Sequence, residues 1–215
     1  ARISVRPGRQ VRWQSLPSLE MLPVMSMIAA PSAAASSSPT GALSLLAVLG
    51  VAAVCFGARW AFNLRGAVTA AQVLQPDICI QLDLALATDT PDMGQRGDVR
   101  LGSGPVMSMF SFHGRGTLNG CIPHPALVHL FQDTADSEKI NLQRSAHIGA
   151  LTETSYVQLV GKGVASIDMG FPARYTHSAL AVCDLADLEG LTRLLVAALT
   201  RIEGGLSLDR DDYFE

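Results

Sequence analysis

From Val51 to Ile202 the chain alternates short apolar runs with segments of helical period, and no other feature restricts its fold as much. Asp77–Leu86 (DICIQLDLAL), Pro105–Ser111 and Val164–Met169 have the length and apolar content of strands, and Ile140–Ala146 reads as extended. Arg65–Gln75, stopped by Pro76, reads as a helix. So does Pro125–Lys139, with Leu127, Leu130, Phe131 and Ala135 on one face. Thr154–Val160 is a short helix. Asp187–Ile202 is the last, with Asp184 as its cap and Leu188, Leu191, Leu195, Ala198 and Ile202 on one stripe. Connections of crossover length between such strands predict a layered α/β fold whose sheet is largely parallel at its centre.

In sheets of that kind the working residues gather at the carboxyl ends of strands. Asp83 stands inside an otherwise apolar strand, where a carboxylate is costly unless it is paired or holds a metal. His177 follows the strand at Val164–Met169 after a Pro-containing loop. Each has a plainer reading: Asp83 paired with an arginine such as Arg174, and His177 as a hydrogen-bonded structural residue. His113, His124, His129 and His147 show no ligand spacing, and Gly102-Ser103-Gly104-Pro105 reads as a tight turn entering a strand. Nucleophile-elbow, P-loop and dinucleotide signatures are absent.

With 48% apolar and 16% charged residues, wholesale disorder is excluded. The net charge of −3 gives no field for nucleic acid. That balance is uneven. Residues 1–76 carry six arginines against Glu20 alone, a net +5, whereas residues 77–215 carry 10 bases against 18 acids, a net −8. Residues 1–40 form a low-complexity segment of no assigned role and residues 206–215 an acidic tail, of which Asp209–Glu215 is expected to be solvated. The run Gly41–Ala58 has the length of a membrane helix with Ser44 its one polar side chain. Gly50 and the β-branched second half favour instead a buried helix followed by a core strand at Val51–Phe56. Cys55, Cys79, Cys121 and Cys183 lack paired spacing and read as reduced thiols, which places the chain in the cytoplasm.

Five segments, in order, resemble the glutamyl/tetrahedral (TET) metallo-aminopeptidases, especially the branch of bacterial sugar-utilisation operons. They are Phe62-Asn63-Leu64-Arg65-Gly66-Ala67, then Asp83 through Asp89-Thr90-Pro91-Asp92, then Leu101-Gly102-Ser103-Gly104-Pro105. Asn119-Gly120 with Ile122-Pro123-His124-Pro125 follows. The last is Thr152 to Asp187, including Gly170-Phe171-Pro172-Ala173-Arg174-Tyr175-Thr176-His177-Ser178. The resemblance spans about residues 41–203 and implies a layered α/β/α sheet of the zinc-peptidase type. It is truncated on its N-terminal side and has no recognisable inserted β-domain, so that 41–205 form a partial catalytic domain.

The resemblance further implies hydrolysis of N-terminal residues from peptides, using two divalent ions, zinc or cobalt, and a metal-bound water activated by a glutamate. Carried over by position, Asp83 and His177 match metal ligands and Arg174 a substrate-binding residue. The expected partners are a peptide substrate and further copies of the chain, with neither nucleic acid nor membrane. Other positions depart from the pattern. Trp60 and Ala61 stand where the family carries consecutive glutamates, one the general base and one a ligand. Ser38-Pro39-Thr40 stands where a bridging aspartate belongs, residues 1–40 contain no histidine, and Glu153 replaces an aspartate. A zinc site needs three or four protein ligands. An active peptidase and a catalytically inactive remnant serving as a binding or assembly module are therefore both open at this stage.

Overall fold

The computed structural model describes residues 65–114, 119–202 and 205–213, together with the backbone of 26–30. The apolar run 41–58, Trp60, Ala61 and most of the 1–40 segment lie outside those residues. In chain order the elements are β1 (Ser26–Ala30), α1 (Arg65–Leu74), β2 (Ile78–Leu86), β3 (Val106–Phe112) and β4 (Gly120–Cys121). They continue with α2 (Pro125–Glu138), β5 (Gln143–Ile148), α3 (Thr154–Val157), β6 (Ala165–Arg174), β7 (Val182–Cys183) and α4 (Leu185–Ile202). A 3₁₀ turn at Asp211–Tyr213 ends the described chain.

One mixed sheet organises the fold, in the order β1-β2-β6-β3-β4, with β5 added to β3 and β7 to β6. The long ladder is parallel: β2 and β6 run in register from Ile78 beside Ala165 to Leu86 beside Ala173. β3 pairs with β5 in parallel but with β6 antiparallel, so the parallel character holds within two ladders rather than across the whole centre. Strand alternation then sorts the side chains. Ile78, Ile80, Ile167 and Met169 face α2 and α4, joining Leu127, Phe131, Leu191, Leu194 and Ala198 in the main core. Cys79 lies in a second core with Ala67 and Ala71 of α1, Val157 of α3 and Val164 just before β6. Helices thus cover both faces, and the α/β/α layering expected from the sequence is the one formed.

The helix ends follow local chemistry. Gln75 closes α1 in the left-handed region (φ 48°), its N–H donating to the Ala71 carbonyl at 2.8 Å, before Pro76 forbids continuation. His124 caps α2, its Nδ1 accepting from the Ala126 N–H at 3.3 Å, with Pro125 at the first helical position. Asp184 Oδ1 accepts from the Ala186 N–H at 2.9 Å and starts α4 two residues before the expected Asp187. Leu191, Leu195, Ala198 and Ile202 of the expected stripe on α4 are buried, Leu194 joins them, and Leu188 is 39% exposed.

One more expectation changes. β6 runs on to Arg174, through Gly170 and Pro172, where the sequence suggested a loop after Met169. Pro172 is tolerated because it falls between the β3 pairing, which ends at Gly170, and the β7 pairing, which begins at Ala173. In the tail, Leu206 and Leu208 pack on the main core, whereas Asp209, Arg210, Asp211 and Asp212 are exposed as expected and Tyr213 stacks on His129 with ring centroids 5.5 Å apart.

Gly104 is fixed by sterics. It has φ +94°, and a Cβ there would lie 1.9 Å from the Asn141 carbonyl oxygen. Among the described residues no helix is long and apolar enough to cross a membrane. Phe131 is completely buried at the centre of the main core. Truncating it in Phe131→Ala is expected to cost about 3–5 kcal/mol, read as a lowered urea midpoint by circular dichroism.

Candidate functional site

Asp83 lies on β2 three residues before its carboxyl end, half-buried and directly opposite Gly170 of β6. It shares the sheet face of Cys79 and Gln81, since residues two apart on a strand point the same way. Its Oδ1 accepts from the Leu84 N–H at 2.7 Å. The strands approach closely here: a Cβ on Gly170 would sit 2.4 Å from the Asp83 carbonyl oxygen. His177 stands three residues beyond the end of β6, exposed, in the left-handed region at φ 60°. Because β2 and β6 are parallel, Asp83 and His177 both lie toward the carboxyl ends of neighbouring strands. Trp60 and Ala61 lie outside the described residues.

Arg174 is not paired with Asp83. Its Nε and Nη2 donate to Oδ1 and Oδ2 of Asp89 at 2.7 and 2.6 Å, a two-point carboxylate contact. The hydrogen bonds from Arg174 hold the Asp89 carboxyl down at a pKa of about 2. Asp89 Oδ2 also accepts from the Leu101 N–H at 3.0 Å. Next along, the Gly102 and Gly104 N–H groups donate to Oδ2 and Oδ1 of buried Asp187 at 2.8 and 2.6 Å. The glycine turn expected at 102–105 is present, with Gly102 at φ 72°. Asp187, expected only as part of a helix start, ties that turn to α4.

On the Asp83 face of the sheet lies a buried polar cluster that the sequence reading passed over. Asp168 of β6 sits beside Gln81 of β2 and accepts from the Thr152 and Thr154 hydroxyls at 2.9 and 2.5 Å. Gln81 Oε1 accepts from the Thr154 N–H at 3.1 Å, so sheet and helix α3 are joined twice. Glu153, between the two threonines, is buried as well. The signal for Asp168 was the one that exposed Asp83, an acid within an apolar strand. Burial raises the Cys121 thiol to about 12 and the Cys79 thiol well above its ordinary value, so neither is a thiolate. Burial likewise lowers the His147 imidazole.

Whether these residues suit a metal pair can be judged from their donors. A carboxylate at 83 and an imidazole at 177 are donor types that zinc and cobalt accept. Among the described residues, however, no three histidines, cysteines or acids converge. The described part of the chain therefore does not complete a two-metal site.

Burial raises the Asp168 carboxyl to about 6, against the lowering effect of the two threonine hydroxyls. A carboxyl whose folded value exceeds its unfolded value binds protons more tightly when folded. Its contribution to stability is full below pH 4 and disappears as pH rises through 6. The unfolding free energy of the native chain relative to Asp168→Asn is expected to fall by about 2 kcal/mol between pH 4 and pH 6.5 in urea titrations. A flat difference across that range contradicts the assignment.

The family description M42 glutamyl aminopeptidase matches residues 61–194. SgcX of Escherichia coli (strain K12) is 38% identical over 136 residues, which are 63% of this chain and 36% of SgcX. The aminopeptidase APDkam598 of the archaeon Desulfurococcus kamchatkensis superposes with a TM-score of 0.60 at 30% identity, covering 71% of this chain and 41% of its own. The TET aminopeptidase of the Thaumarchaeota archaeon SCGC AB-539-E09 gives 0.57 at 28% identity, covering 66% and 39%. The chain thus spans well under half the length of these relatives. The matched segment holds the β2–β6 ladder, both strand-end residues and the glycine turn, and the chain belongs to the M42 glutamyl aminopeptidase family.

Proposed function

We propose that this chain carries the family's peptide N-terminal hydrolysis as part of an aminopeptidase catalytic domain, with Asp83 and His177 as its metal donors. The observation that carries the reading is the parallel β2–β6 ladder. Asp83 stands near the carboxyl end of β2 and His177 three residues beyond the carboxyl end of the adjacent β6, the side on which open α/β sheets build their sites, and this supports the reading. Divalent ions, were they held by Asp83 and His177 with further donors, would supply Lewis-acid chemistry toward the scissile carbonyl and a bound water. The chain's own contribution is to hold Asp83 on the β2–β6 ladder, on the same sheet face as buried Gln81 and Asp168, and to carry His177 in the turn that follows β6.

A second reading is favoured by a separate observation. Trp60 and Ala61 offer neither a proton acceptor nor a ligand where the family resemblance calls for glutamates. On that reading the chain is a catalytically inactive relative that keeps the scaffold for binding or assembly.

Metal content and turnover decide between them. The purified chain is loaded with cobalt or zinc, dialysed and assayed with an aminoacyl-p-nitroanilide. Bound metal, together with turnover at least tenfold above the metal-free protein, is expected if the peptidase reading is right; His177→Ala and Asp83→Ala should then remove both. Metal retained without turnover supports the inactive relative. No retained metal overturns the donor roles of Asp83 and His177.

A further inference from the structure

We propose that Arg174 is a positioning residue rather than a substrate-binding one: its ion pair with Asp89 clamps the end of β6 and so fixes the turn that carries His177, an inference that rests on the His177 assignment above. The contact is made through two nitrogens and two oxygens, at 2.7 and 2.6 Å, so it sets the direction of the guanidinium plane as well as its distance. The Nε edge that would grip a substrate carboxylate in the same way is already occupied.

Each side of the clamp is braced. Asp89 is held from behind by the Leu101 N–H, and the residues after Leu101 are held by Asp187 of α4. Arg174 is the last residue of β6, and Ala173 just before it accepts from the Ala87 N–H at 3.0 Å. Immediately after Arg174 come two non-glycine residues in the left-handed region, Tyr175 (φ 59°) and His177 (φ 60°). Side chains of L residues enter that region at a cost, and they stay there when the flanking structure over-determines them. On the far flank the Ser178 hydroxyl lies 2.6 Å from the Tyr175 carbonyl and 2.7 Å from that of Leu180. On the near flank the Asp89–Arg174 pair performs that function.

The test uses the full chain labelled at histidine Cε1, with the five histidine resonances sorted by His177→Gln. Asp89→Asn and Arg174→Lys each remove the two-point contact. Either is expected to shift or broaden the His177 resonance, leave those of His113, His129 and His147 in place, and speed amide exchange at residues 175–178 by at least tenfold. A merely structural contact would move the other histidines too, and that result overturns the proposal. So does a His177 resonance unchanged in whichever variant is soluble. Cobalt chloride added to the native chain judges the donor reading separately. Paramagnetic broadening of His177 is expected, and its absence overturns the donor role while the variants still decide the clamp.

Discussion

The parallel ladder between β2 and β6 is the constraint on which the rest of the molecule depends. It fixes which side chains meet the large helices and which meet the small ones, because a one-residue slip would exchange the two faces. Were β6 the strand to slip, Ile167 and Met169 would face the threonine cluster and Asp168 would enter the main core unpaired. Such a slip is costly on both sides at once. The register that the apolar residues demand is the same one that sets Asp83 opposite Gly170.

Much of this was legible in the sequence because the signals were local. Helices α1 and α2 begin and end within one residue of the expected positions, since Pro76, Pro125 and the left-handed residues at their ends act over a few residues only. The strand at Asp77–Leu86 was equally plain, being apolar after Asp77 with Gln81 and Asp83 its two interior polar breaks. β6 was read too short because Gly170 and Pro172 imitate a loop. Only the arrangement of β3 and β7 on its outer edge shows why a proline is harmless there.

The pairings that build the site were not legible, and the reason is geometric. Arg174 and Asp89 are 85 residues apart. Composition offered Asp83 as a partner, but the ladder puts the end of β6 beside Leu86, and the first carboxylate past that point is Asp89. Asp168 was missed for the opposite reason. It looked like Asp83, a single acid in an apolar run, yet one is enclosed by threonine hydroxyls and the other lies at the half-open end of its strand. Identical local sequence signals gave a buried structural carboxylate and a candidate ligand, and only their depth along the ladder separates them.

The glycine at 104 has a consequence for how such a chain can diverge. The Asn141 carbonyl occupies the space of any β-carbon at that position, and the strain of its backbone angle excludes the same substitutions independently. Both neighbouring glycine amides are spoken for by one acidic side chain on another element. Mutational drift in this loop is therefore coupled to position 187. Loss of that acid would leave both amides without their acceptor, while the asparagine backbone would still bar a β-carbon from position 104.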